Sequence, residues 1–231
     1  MSETAFAALV GVVCAGLGLL VPGLIAWIPE PDEPDDAKEP YAEIAARSGL
    51  RWRAALASGL AGGALGAGVG PGWPLVHLIP LVPVGVALAI VDWRTRLLPT
   101  RVIAPSYAVV VVGVLVGWVA TRDTDNLVRA GWGWLVAGGL YWLMWRIYPR
   151  GMGYGDVRLS GVLGIALGQL GWGPLLVGVY AGFLLGGVIG GLLSLIRVVE
   201  RKGYPFGPFM LVGALVGILW GEPVLSAFAA R

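Results

Sequence analysis

The chain has 231 residues, 57% of them apolar and 13% charged, and its mean hydropathy is +0.80. A soluble domain carries about a quarter charged residues, so lipid is the expected solvent for most of this chain. The net charge of +2 gives no basis for a nucleic-acid partner. The lone Cys14 excludes an internal disulfide framework or a cysteine zinc cluster, and the lone His77 excludes a multi-histidine metal centre.

The chain opens Met-Ser-Glu-Thr without a basic residue, so the first apolar run, about 4–27, is expected to be retained as a span rather than removed as a signal peptide. A polar segment over 28–52 follows. From Glu30 to Arg53 it holds seven of the fourteen acids and begins Pro31-Asp32-Glu33-Pro34, the composition of a mobile acidic surface loop. Further apolar runs lie at about 53–70, 74–91, 102–120, 128–147, 157–170, 172–197 and 205–228. Several match the ~20 residues that cross a bilayer core, and lipid leaves no partner for an open backbone, so helices are expected. The expected fold is an all-α, polytopic membrane protein of about eight transmembrane helices in a single domain covering 1–231. Tryptophans such as Trp27, Trp73, Trp93 and Trp220 fall near the ends of the runs, at headgroup level. Glycines recur at four-residue spacing in Gly59/Gly63, Gly62/Gly66 and Gly182/Gly186/Gly190. They suit close helix packing within the chain or a homodimer face.

With eight spans the loops alternate between two sides. One side collects 13 of the Lys and Arg residues and the other only Arg122, Arg129 and Arg231. By the positive-inside rule the basic loops are expected in the cytoplasm and both termini outside.

Two acids stand apart from the polar segment, from those on the outer side and from Glu200, which lies in an inner loop with Arg197 and Arg201. Asp92 ends the apolar run of the third segment, and Asp156 follows Gly151-Met152-Gly153-Tyr154-Gly155 and opens the sixth. An acid at a membrane boundary is costly to desolvate and calls for a reason. Taken singly, Asp92 can pair with Arg94 or Arg96, and Asp156 can cap the following helix. Taken together, they fall on one face and can form a paired-carboxylate site in which one proton is shared. The ionised member would take a proton from an attacking water, and the protonated member would support the carbonyl and then the leaving amine. Gly151, Gly153 and Gly155 would give the loop torsional freedom and let a substrate strand lie close.

Gly153-Tyr154-Gly155-Asp156 resembles the GxGD motif of intramembrane aspartic proteases, and Val157-Arg158-Leu159 after it resembles the prepilin peptidase, or type IV leader peptidase, branch, which usually has Lys at the position of Arg158. Asp92 with Arg96 and Leu98-Pro99 is similar to the family's first-aspartate motif, with Thr100 where Asn is usual. Tyr204-Pro205-Phe206-Gly207-Pro208-Phe209 resembles its Pro-Phe-Gly-Pro-Phe stretch. The resemblance implies Asp92 and Asp156 as catalytic aspartates, with Gly153, Tyr154, Gly155, Arg158, Arg96 and Pro99 around them. It implies cytoplasmic-side cleavage of the basic leader of type IV prepilin or pseudopilin substrates, in the bacterial inner membrane and among its lipids, without a cofactor. Many members carry a four-cysteine zinc domain and a segment near the first span that go with N-methylation by S-adenosylmethionine. Neither has a counterpart here, so the resemblance gives methylation no support. A transport protein and an inactive scaffold of a pilus or secretion apparatus are the competing readings.

Overall fold

A computed structural model describes residues 1–30, 38–149, 151–195 and 205–230, with 189–195 as backbone alone. Asp32, Glu33, Asp35 and Asp36 of the acidic segment, and Tyr204 of the third motif, lie outside the described residues. All regular structure among the described residues is helical. In chain order the helices are α1 (Glu3–Gly18), α2 (Val21–Trp27), α3 (Tyr41–Ala46), α4 (Leu50–Val69), α5 (Leu75–Thr95), α6 (Thr100–Thr121), α7 (Thr124–Gly133), α8 (Gly139–Ile147), α9 (Tyr154–Leu170), α10 (Trp172–Leu195) and α11 (Gly207–Ala229).

Within the described residues each apolar run of the sequence is helical over most of its length, but the runs differ in form. α5, α6 and α11 are long and apolar enough to cross a membrane, and α1 with α2, bent by 41° at Leu19–Leu20, reach that length and hydropathy only as a pair. Pro22 in the first turn of α2 suits that break, because it can start a helix but cannot continue one. The run at 128–147 is interrupted by a π-helical turn, Trp134–Gly138, between α7 and α8. The chain is therefore a multi-pass membrane protein with a helical core.

The glycine spacing is used inside the chain. α1 packs antiparallel on α4, with a Cβ on Gly62 landing on Cys14 and one on Gly18 lying 2.8 Å from the Ala54 carbonyl oxygen. Gly182 approaches the Met210 Cα, and Gly186 faces the Phe206 ring in the α10–α11 pair. The central element is α9, with twelve of its 17 residues buried. Its Gly164 meets Gly133 of α7 backbone to backbone, and Arg129 of α7 donates to the Gly168 carbonyl at 2.9 Å. A helix walled by protein on most sides need not have the length of a lipid-facing span, which explains why this apolar run is short.

The described part of the polar segment from 38 onward differs from the mobile loop expected of its composition. Within it α3 is docked, with Tyr41 and Ile44 buried in the core. Glu30 accepts from the Ala42 N–H at 3.2 Å, and Glu39 pairs with Arg47 at 2.6 Å. Two apolar side chains one helical turn apart thus anchor a segment whose composition reads as solvated.

Candidate active site

Asp92 lies one turn before the end of α5, where the chain turns sharply. Arg96 adopts a left-handed conformation, φ 55°, and its N–H returns to the Asp92 carbonyl at 2.8 Å. Thr95 braces the turn from within, donating to the Val91 carbonyl at 2.8 Å and accepting from the Leu97 N–H at 3.2 Å. A left-handed arginine costs roughly 1–2 kcal/mol, so the surrounding contacts must hold it. Pro99 then precedes α6, its carbonyl accepting from Val102 at 3.0 Å.

The Asp92 side chain is 4% exposed. Its Oδ2 accepts the backbone N–H of Gly207, the first residue of α11, at 2.9 Å. The Phe206-Gly207-Pro208 stretch therefore aims a helix N-terminus at this carboxylate, an arrangement that favours negative charge. The ion pair open to Asp92 in the sequence is not formed among the described residues. Arg94 turns instead to Glu39, at 3.8 Å.

Asp156, 7% exposed, sits in the first turn of α9. Its Oδ2 accepts the Gly153 N–H at 3.1 Å, half of a capping box. The capping role open to Asp156 in the sequence is thus real, but it uses one oxygen. The other, Oδ1, is buried without a hydrogen-bond partner among the described residues. Buried polar atoms are rarely left so, and an orphan at a helix end facing a cavity marks a place for water or ligand.

Both carboxylates line one cavity of about 460 Å³, together with Arg96, Pro99, Gly153, Tyr154, Gly155 and Arg158. They lie within electrostatic reach of each other. Every site residue drawn from the sequence is therefore brought to one place. Thr100 and Arg158, the positions that differ from the usual pattern, touch: the guanidinium donates to the Thr100 hydroxyl and lies 4.7 Å over the Tyr154 ring.

The glycines act differently from the expectation. Among the described glycines only Gly49 and Gly70 adopt a left-handed φ, so Gly151, Gly153 and Gly155 need no special torsion. Gly155 is required by close approach instead, since a Cβ there would lie 2.7 Å from the Leu98 Cβ. Leu98 also packs within 3.4 Å of a Cβ built on Gly207, and so joins the three motifs. Two further residues come from outside the motifs. Tyr41 of α3 lines the cavity. Tyr141 of α8 is 2% exposed, stacks on Phe183 at 4.6 Å and lies within electrostatic reach of Asp156. Neither carries a sequence signal, since an aromatic in an apolar run reads as core.

Two buried carboxylates at helix ends thus line one cavity of an apolar helical bundle of the membrane-spanning kind. The chain belongs to the type IV leader peptidase family, whose model matches residues 79–194, a stretch holding both acids. It is 32% identical over 157 residues to the prepilin leader peptidase/N-methyltransferase of Aeromonas salmonicida, covering 67% of this chain and 52% of the relative. It is 29% identical over 145 residues to the protein of the same description from Pseudomonas aeruginosa, covering 62% and 49%. It is 33% identical over 148 residues to leader peptidase HopD of Escherichia coli, covering 62% and 91%. The chain spans about half the length of the first two relatives. No solved structure matches it.

Proposed function

We propose that this chain is an aspartic endopeptidase of the inner membrane that removes the basic leader from type IV prepilin or pseudopilin substrates, with Asp92 and Asp156 as the catalytic pair. The observation that carries the reading is the unpartnered Oδ1 of Asp156 in a cavity that Asp92 shares. Each acid is tethered through Oδ2 by a backbone N–H, which fixes the carboxyl planes and leaves the second oxygens for chemistry.

In this mechanism the pair shares one proton. The ionised carboxylate takes a proton from water as the water oxygen attacks the scissile carbonyl. The protonated carboxyl donates to the developing oxyanion, and a proton passes to the leaving amine as the C–N bond breaks. No cofactor takes part. Methylation with S-adenosylmethionine is not part of the proposal.

The eight helical runs are read as eight spans with both termini outside, so that the cavity opens to the cytoplasm. The basic loops support this orientation. A basic leader fits the acidic residues 30–43 by charge sign, and Glu30 already lines the cavity. The test is incubation with a membrane-embedded prepilin-type substrate and mass spectrometry of the new N-terminus. A single cut directly after the basic leader is expected, and a substrate left at full length overturns the reading.

A further inference from the structure

A second cavity, of about 400 Å³, opens between α3, α4 and α5 at the same end of the bundle as the two acids. Its rim carries Arg47, Arg53 and Arg94, and its walls are apolar, with Ala57, Val86 and Ile90 among them. Trp93, 51% exposed, stands beside Arg94 at the rim. Ala57, Val86, Ala89 and Pro208 also line the adjoining cavity of about 290 Å³, whose walls are almost wholly aliphatic. The two cavities thus share walls, and together they run from a cationic mouth into the membrane interior.

We propose that this groove binds one anionic phospholipid, with the phosphate at the arginines and an acyl chain along α4 and α5. Depth supports the match. From Arg53 to Leu65 on α4 is twelve residues, or about 18 Å of helix, and one leaflet's hydrocarbon is about 15 Å deep. Charge supports it too. Among the described residues Glu39 is the carboxylate that faces Arg47 and Arg94, at 2.6 and 3.8 Å, so there one acid is shared between two guanidinium groups, and Arg53 lines the same rim. Guanidinium forks suit phosphate oxygens, and basic pockets between membrane helices hold anionic headgroups. The aliphatic walls select a chain over an extended peptide, whose N–H and C=O groups would find no partners there.

The full chain in a non-ionic detergent tests this without use of cleavage, so its result stands apart from the proposed peptidase activity. Phosphatidylglycerol and phosphatidylcholine of identical chains, and inorganic phosphate, are each added, and retention is read by native mass spectrometry and thermal unfolding. Phosphatidylglycerol is expected to be retained roughly tenfold over phosphatidylcholine and to raise the unfolding temperature. The R53Q/R94Q double variant should lose that preference. Equal retention of both lipids by the wild type, an unchanged preference in the double variant, or the same stabilisation by phosphate alone would overturn the proposal. If the double variant does not fold, the lipid series on the wild type still decides.

Discussion

The backbone N–H of Gly207 donates to the Asp92 carboxylate at 2.9 Å across 115 residues of chain. A Cβ on Gly207 would lie 2.9 Å from that same oxygen. Gly207→Ala is therefore expected to displace the carboxyl while leaving the apolar core intact. Misplacement of about 1 Å at a reacting group costs up to roughly a hundredfold in rate. Normal expression with a kcat reduced between tenfold and a hundredfold is the expected outcome.

Gly155 and Leu98 give a second prediction, on stability. Gly155→Ala overpacks against the Leu98 Cβ at 2.7 Å and should destabilise by about 1–3 kcal/mol. Leu98→Gly removes the very Cβ that the new methyl meets, so the double variant should recover part of the loss. Thermal unfolding of the two single variants and the double variant measures the coupling, expected at about 0.5–3 kcal/mol.

Tyr141 tests whether a phenol buried near Asp156 assists that acid. Its ring is fixed between Phe183 and Phe206, so Tyr141→Phe preserves the packing and removes only the hydroxyl. A kcat reduced roughly threefold to tenfold with KM unchanged is expected if the phenol assists Asp156, directly or through water. Equal kcat values would assign it to packing alone.

A shared proton also sets the form of the pH profile. Activity should rise as the first carboxyl of the pair loses its proton and fall as the second does, giving a bell-shaped dependence with two macroscopic values that belong to the pair. A profile with one limb would show that a single carboxyl titrates in the rate-determining step.

The two acids were legible in the sequence because a charge ending an apolar run is costly, and the cost pointed to a site. The helical runs were legible for the same reason, being set by lipid. Less local features were not. The left-handed turn at Arg96 and the orphan oxygen of Asp156 depend on contacts that no periodicity records. Gly155 was visible as a glycine, but its reason, the Leu98 side chain, comes from another helix end. Tyr41 and Ile44 anchor α3 from within an acidic stretch, where composition pointed to solvent and two buried side chains decided otherwise.

The central claim is that Asp92 and Asp156 act together, and the most direct measurement is processing of a prepilin-type substrate in membranes by the wild type, Asp92→Asn, Asp156→Asn and, as a control at the far end of α6, Arg122→Gln. Asn keeps the size and one hydrogen-bond acceptor but cannot exchange the proton. Loss of processing in both Asn variants at normal expression, with the control unaffected, is the expected result. Processing retained by either Asn variant would contradict the pair and return its acid to a structural role: a carboxylate held by Gly207 in the case of Asp92, or a helix cap in the case of Asp156.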